Sequence, residues 1–303
     1  MKLKLILLLS LVLLISAACT IPGGSQTVQN DVVQLNFLTS QPPTELYEGQ
    51  TFRVGLNVKN YDTKQKDVIL CVYDDKNDYF SGIPADDCRP IKIGAGELSG
   101  DNIIPFDQKV YFPSQDEFYS YNKLEKDMTA TIVADVYYQH TTKSNVQICI
   151  KRDVETVTDV SCDGEEKITN GPGPVQISNL KKTIYPIDAN KVRLMLQFDV
   201  QNVGSGKVST KESARSKENI EPPIGLKVNL IGITDNFKCT PANTKGQITL
   251  KENQKTIKCE ADINIEQDYI INPVEINLDY EYTTKILTSP IKLIKNEVVS
   301  KNG

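Results

Sequence analysis

The chain has 303 residues, a formal net charge of -5 at pH 7, and charged residues at 24% of its positions. Basic and acidic residues are mixed along it, so it lacks the basic face typical of nucleic-acid binding, and we expect no nucleic-acid partner. The length suits two domains of ordinary size, and the charged fraction is that of a folded surface rather than a disordered tail.

The first 18 residues have the layout of a secretory signal peptide. Lys2 and Lys4 precede an aliphatic run over Leu5–Ile15, and small residues follow at 16–18. Such a sequence directs export and is then removed. The run is shorter than the roughly 20 residues that a membrane-spanning helix needs. We therefore expect an exported protein whose leader is residues 1–18.

Cys19 directly follows the small residues, and this stretch resembles the lipobox of bacterial lipoproteins. It departs from that signal at Ser16, where the family prefers leucine. The resemblance implies that Cys19 becomes the lipidated first residue, that residues 19–30 form a polar tether, and that the membrane is one partner. Two alternatives stay open: Cys19 is a free thiol, or it belongs to a discarded leader of a secreted protein.

Six further cysteines remain, an even number that suits disulfides in an oxidising compartment. Neighbours in sequence have the shortest loops to close, so the predicted pairs are Cys71–Cys88, Cys149–Cys162 and Cys239–Cys259. Each such loop contributes about 3 kcal/mol in the chain-entropy model. A zinc site is the competing interpretation, but no close pair of cysteine or histidine ligands occurs in the sequence. We expect no metal and no cofactor.

The chain contains an internal repeat with an offset of 142 residues, as from Val33 to Val175. "VQLNFL" from Val33 recurs as "VQISNL", and "YYQHTTK" from Tyr137 recurs as "DYEYTTK" from Asp279. A common register over that distance indicates a tandem duplication. The cysteines do not follow the offset, so the disulfides are expected to be local additions to a shared core.

Glycine and proline in "NGPGPV", from Asn170, indicate a linker between the copies. The predicted organisation after the tether is a first copy at 31–168, a linker at 169–173, a second copy at 174–295 and a tail at 296–303.

Both copies alternate apolar and polar residues with the period of two that is typical of half-buried strands. In chain order the predicted strands are Phe52–Val58, Val68–Tyr73, Lys109–Phe112, Thr129–Tyr138, Val146–Lys151, Leu194–Val200, Leu226–Leu230, Gln247–Leu250, Val274–Tyr282 and Pro290–Ile294. Short helical turns are expected within Ser114–Lys126 and Ser209–Asn219. Many short strands separated by turns predict an all-β protein made of two tandem antiparallel β-sandwiches.

The stretch "DVQNVGSGKV" from Asp199 resembles the immunoglobulin-like modules of cell-surface proteins, especially the CARDB type of bacteria and archaea. The shared feature is an apolar strand that ends in Asn-x-Gly, here Asn202 and Gly204. Turn chemistry alone also accounts for these residues, and the first copy has no glycine after Asn60. The resemblance implies two Ig-like domains that act as a surface spacer or binding module, without an active site.

Two groups of residues invite a chemical interpretation. His140 is the single histidine, and its repeat counterpart is Tyr282, which favours packing over catalysis. Oxygen ligands between strands can hold calcium, so an acidic loop is a candidate cation site, although its spacing fits no EF-hand. The members of that loop are Asp74, Asp75, Asp78, Asp86 and Asp87.

Aromatic residues cluster at Tyr111–Pro113 and again at Phe118, Tyr119 and Tyr121. Loop tyrosines are good contacts for a protein or glycan partner. Packing on the end of a sheet, as in the tyrosine corner of Ig folds, is the interpretation we favour.

The sequence therefore favours a non-enzymatic protein on the extracellular face of the cell envelope, which serves as a binding, adhesion or spacer module for another envelope protein or a glycan. The alternative is an exported enzyme accessory, or a carbohydrate- or calcium-binding domain, whose site no motif reveals.

Overall fold

The computed structural model describes residues 30–76, 80–85, 87–100, 102–114, 116–152, 162, 166–215 and 222–296. The leader, Cys19 and nearly all of the tether lie outside these residues. The described chain is all-β apart from one helix of five residues. Within it, no helix has the length and apolar character needed to cross a membrane.

Within the described residues, the first copy supplies twelve strands and the linker one. They are β1 (Val33–Phe37), β2 (Glu45–Tyr47), β3 (Thr51–Phe52), β4 (Val54–Asn60), β5 (Lys66–Asp74), β6 (Asp87–Ile93), β7 (Glu97–Ser99), β8 (Asn102–Ile104), β9 (Phe106–Phe112), β10 (Tyr119–Ser120), β11 (Met128–Ala130), β12 (Ile132–Lys151) and β13 (Thr169–Asn170).

The described residues of the second copy form nine strands and the helix. They are β14 (Val175–Asp188), β15 (Lys191–Asn202), β16 (Lys207–Val208), α1 (Lys211–Arg215), β17 (Ile224–Leu230), β18 (Lys238–Thr240), β19 (Gln247–Ile248), β20 (Gln254–Asn264), β21 (Tyr269–Leu287) and β22 (Ile291–Ile294).

One large sheet runs through both copies, with the main strand order β19-β17-β21-β12-β5-β6. Each copy adds a smaller sheet, β1-β4-β9 in the first and β14-β15-β20-β18 in the second. Along β12, even-numbered side chains are buried, and from Gln139 to Gln147 the odd-numbered ones are exposed. This alternation places the shared apolar core on one face of the large sheet and leaves polar side chains on the other.

The central feature of this sheet is the antiparallel pairing of β12 with β21, which extends from Val133↔Leu287 to Lys151↔Tyr269. We expected two separate sandwiches in tandem, but the copies share a sheet and one continuous core. The reason is that each copy by itself would leave one edge of its long strand, β12 or β21, unpaired. In the whole chain the two strands satisfy each other's backbone hydrogen-bonding groups.

The pairing register gives the molecule an internal two-fold relation. Tyr138 pairs with Tyr282, and His140 pairs with Tyr280. A shift of 142 residues converts the first pair into the second, so the pseudo-axis passes through the pair Gln139↔Glu281. The smaller sheets follow the same relation, because Val33↔Asn60 in β1 and β4 corresponds to Val175↔Asn202 in β14 and β15.

The strands β4 and β15, which correspond to each other in the two copies, end in the same asparagine turn. The Asn60 side-chain amide donates to the Lys64 carbonyl at 2.9 Å, and its oxygen accepts from the Asp62 backbone N–H at 2.9 Å. Asn202 repeats both contacts, to the Gly206 carbonyl at 2.9 Å and from the Gly204 N–H at 3.2 Å. The motif therefore depends on the asparagine and not on the glycine that follows in the second copy.

Each end of the described chain is bound to the opposite copy. Near the start, both oxygens of the Asp31 carboxylate accept from the Ser205 backbone N–H at 3.1 Å. Near the end, β22 pairs with β2 and β11 of the first copy. The two copies are thus held together at the centre and at both ends.

Three disulfides connect Cys71 to Cys88, Cys149 to Cys162 and Cys239 to Cys259, which are the pairs that local spacing predicts. The first joins β5 to β6 and the third joins β18 to β20, so each of these two links neighbouring strands of one sheet. Three disulfides are typical of an oxidising extracellular or periplasmic environment.

The largest difference from the expected elements lies in β12. Two strands with a break after Tyr138 were predicted, whereas a single strand continues from Ile132 to Lys151. Likewise β21 extends beyond the predicted Val274–Tyr282 at both ends. The helical turn expected within Ser114–Lys126 is absent from the described residues there, and the described part of the second expected turn contains the helix Lys211–Arg215.

We expect residues 174–295, produced alone under oxidising conditions, not to form a cooperative monomeric domain, because β21 would lose β12 and β22 would lose both its partners. Size-exclusion chromatography and urea unfolding test this against residues 30–296 as the control. A monodisperse monomer with a single cooperative transition would contradict the shared-sheet interpretation.

Replacing Asn60 by Ala should lower the free energy of unfolding by about 3 kcal/mol, because three backbone groups lose the hydrogen bonds that this side chain forms with them. Asn60 is fully buried, and its amide also donates to the Gly94 carbonyl at 2.8 Å. The matched control is Asn57→Ala in the same strand, where one side-chain bond to Asp107 is lost and about 1 kcal/mol or less is expected. Chemical denaturation measures both, and equal losses would contradict the prediction.

Candidate functional site

His140 lies on the core face of β12, beside the loop that follows the Asn60 turn. It is 6% exposed. Its Nδ1 lies 2.9 Å from the Lys66 ammonium, and its Nε2 lies 2.8 Å from the Pro172 carbonyl in the linker. Lys66 in turn forms an ion pair with Asp62 at 2.8 Å. The histidine therefore connects the first copy to the linker.

These contacts define the protonation state of His140. An ammonium can only donate, so Nδ1 accepts from Lys66, and Nε2 carries the proton that is donated to Pro172. Burial lowers the pKa of His140 below its ordinary value, and the positive charge of Lys66 lowers it further. The neutral ring is the form that this environment stabilises.

A row of polar side chains continues from His140 along the buried face of β12. The Thr142 hydroxyl lies 2.7 Å from the Tyr280 hydroxyl, which also accepts from the Val175 backbone N–H at 3.2 Å. Ser144 donates to the Asn170 side-chain oxygen at 2.6 Å. The row lies beneath the linker between the copies, and its hydroxyls satisfy polar groups of that segment.

An open groove of about 670 Å³ crosses the large sheet near the pseudo-two-fold axis. Side chains of the central strand pair line it, from Gln139, Thr141 and Lys143 of β12 and from Asp279 and Glu281 of β21. On the first-copy side it is bordered by residues 62–66 and by Gly171 and Pro172, and on the second-copy side by Pro223, Gly225 and Gln247. Both copies thus contribute to one concave polar surface.

The groove occupies only one of two symmetry-related halves of this face. Thr141 and Asp279 are exposed in the groove, whereas their counterparts Thr283 and Tyr137 are 3% and 4% exposed. Thr283 donates to the Ser209 carbonyl at 3.0 Å, in the segment that leads into α1. The chain covers one half of the face with its own residues and leaves the other half open.

The acidic loop is tied into the first copy by hydrogen bonds. Asp74 accepts from the Tyr121 hydroxyl at 2.7 Å and from the Ile83 backbone N–H at 3.0 Å. Asp75 accepts from the Thr131 N–H at 2.8 Å, and Asp87 contacts Arg89.

Asp78 and Asp86 lie outside the described residues. Among the described ones, no group of three or more histidine, cysteine or acidic side chains is arranged to hold a metal ion.

The loop tyrosines divide into buried and exposed members. Tyr119 and Tyr121 are 5% and 1% exposed, and their hydroxyls donate to Asp87 and Asp74. Burial, followed by the nearby Asp74 carboxylate, raises the pKa of Tyr121 above its usual range, so it remains a donor. Phe118 and Tyr111 remain exposed at 58% and 37%. Tyr119 and Tyr121 thus pack in the core of the first copy, whereas Phe118 and Tyr111 lie at its surface.

Sequence reasoning singled out His140 but not the groove beside it. The groove residues come from six separate segments of the chain, and no motif connects them. The available signal was the pair of matched stretches "YYQHTTK" and "DYEYTTK", whose exposed residues become the groove floor once β12 and β21 pair.

Comparison of the chain with protein-family models gives no match, and comparison with curated proteins gives none either. Among solved structures, a similar chain is a DUF4466 family protein from Parabacteroides merdae ATCC 43184. It is 11% identical, and the match covers 82% of this chain and 98% of that one with a TM-score of 0.18. A TM-score of this size carries no argument about fold or function.

We expect the free energy of unfolding to fall as pH decreases from 7.5 towards 5. The pKa of His140 is lower in the folded state than in the unfolded state, so acid favours the unfolded form. This contribution is fully present above the unfolded pKa, about 6.5, and is lost as pH falls through the folded value.

The control is His140→Gln, whose amide can replace both hydrogen bonds without titrating. Urea unfolding of both proteins at several pH values provides the measurement. Because His140 is the single histidine, a difference between the two profiles belongs to this residue. Parallel profiles would contradict the prediction.

Proposed function

We propose that this chain is an exported, non-enzymatic binding module that is held to the cell envelope by lipid at Cys19 and engages a partner through the central groove. The observation that carries the proposal is the open groove itself, because both copies contribute to it while its symmetry-related half is covered. A concave surface of about 670 Å³ is within the range of ligand sites in proteins.

The export half of the proposal rests on the leader sequence and the disulfides. Residues 1–18 have the layout of a signal peptide, and Cys19 stands where a lipobox cysteine would stand. Disulfides at Cys71–Cys88 and Cys239–Cys259 join neighbouring strands and suit an oxidising compartment. With the tether at 19–30, the folded part would lie outside the membrane and near its surface.

The finer fold assignment is also part of the proposal. Each copy consists of a small sheet packed on half of the large sheet, and each has the asparagine turn at Asn60 or Asn202. These features support two Ig-like sandwiches of the CARDB type that have become joined at one edge. We propose for them the binding, adhesion or spacer role that the resemblance to such modules implies.

The contacts of His140 also support a binding role. Both ring nitrogens of His140 are engaged, one by Lys66 and the other by Pro172. The neutral ring therefore has no vacant nitrogen with which to transfer a proton to a ligand. Its contacts indicate that it fixes the linker next to the groove.

Replacing Cys19 with Ala should move the protein from the membrane fraction to the soluble fraction, or leave it unprocessed, while both copies stay folded. Acyl chains contribute about 0.8 kcal/mol per buried CH₂, and more than one chain is needed for stable anchoring. Cell fractionation and mass spectrometry of the N-terminus are the measurements, with Thr20→Ala as the matched control. A wild-type chain with an unmodified Cys19, or one that begins after it, would overturn the anchoring proposal.

A further inference from the structure

We propose that the central groove binds a neutral saccharide chain. This inference rests on the proposed binding function and specifies the chemical class of its ligand. The charges and hydrogen-bonding groups of the groove residues determine which chemical class of ligand can pair with them.

Positive and negative side chains are balanced in the groove. Lys64 and Lys143 are exposed on the first-copy side, and Asp279 and Glu281 lie on β21. Lys66 is already paired with Asp62 within the same border. Because the two signs are equal in number, the groove does not select for net charge in its ligand.

The groove lining mixes hydrogen-bond donors and acceptors. Gln139 presents an amide that donates and accepts, and Gln247 adds donors while its side-chain oxygen accepts from Asn243 at 3.0 Å. The neighbouring lysines and carboxylates add further donors and acceptors. A sugar hydroxyl also donates and accepts at one atom, so it can use a lysine and a carboxylate at the same time. The Thr141 hydroxyl shows the donor half of this pattern, since it donates to the Asp279 carboxylate at 2.5 Å.

A peptide ligand usually needs a buried aromatic or aliphatic anchor in its binding site. The described lining offers few apolar contacts, from Pro172, Pro223 and Tyr280. Tyr280 is 5% exposed, and its hydroxyl is engaged with Thr142. The lining therefore suits a hydroxyl-rich chain better than a peptide side chain.

The experiment begins with residues 20–303, folded under oxidising conditions and applied to an array of oligosaccharides. The array carries neutral glycans built from glucose, galactose, mannose and N-acetylhexosamines, and anionic glycans with sulfate or uronate groups. We expect retention on neutral glycans that persists at high salt, because no net charge has to be screened. Calorimetry with the retained oligosaccharide then gives its affinity.

Gln139→Ala and Glu281→Gln should each weaken that affinity at least tenfold. The matched control is Gln147→Ala, since Gln147 is an exposed glutamine on the same face of β12 but outside the groove. Its affinity should stay unchanged. Circular dichroism of all three variants establishes that the fold is retained, as expected for surface positions.

Three results would overturn the inference: no neutral glycan is retained, only anionic glycans bind and salt releases them, or Gln139→Ala binds as tightly as the wild type. If Cys19 of the wild-type chain is acylated but residues 20–303 retain no saccharide, the ligand class is overturned and the anchoring proposal stands. If residues 20–303 bind saccharide but Cys19 of the wild-type chain is unmodified, the anchoring proposal is overturned and the saccharide inference stands.

Discussion

The architecture depends on the antiparallel pairing of β12 with β21. Each is the longest strand of its copy, and together they form the middle of the large sheet. A one-residue slip between them would exchange the buried and exposed faces of a strand. The pairs Tyr138↔Tyr282 and His140↔Tyr280 are on the buried face. Their burial fixes the register that brings the groove residues of β12 and β21 together.

The buried face of this pair is apolar at its ends and polar in the middle. Val136 and Ile148 contact the core, whereas His140, Thr142 and Ser144 lie beneath the linker. A buried polar group is costly unless it is hydrogen-bonded. Here each of the three has a partner on the linker or on the opposite strand, so the polar row positions the segment that borders the groove.

Sequence patterns predicted strands well where one face is apolar and the other polar. Val54, Leu56 and Val58 in β4 are buried in the alternation that predicts them. The pattern failed within β12 because the buried positions at 140–144 are polar, so a strand interior resembled a loop.

The groove was beyond prediction from local pattern because its floor is created by register. Gln139 and Glu281 are opposite one another only when the two copies pair, and Pro223 and Asp62 are brought to its borders from distant segments. The disulfide pairs were easier to predict from the sequence, since short loops between neighbouring strands restrict the partners that a cysteine can reach.

Covalent fusion of the copies changes what the central pairing permits. Two separate chains would have to meet in solution, and their association would weaken on dilution. A single chain keeps its halves at a fixed effective concentration, however few molecules are present. A dimer of identical chains would also carry every substitution twice. In this chain one half has Lys66 and His140 where the other has Val208 and Tyr282, so the two halves of one face are free to have different chemistry.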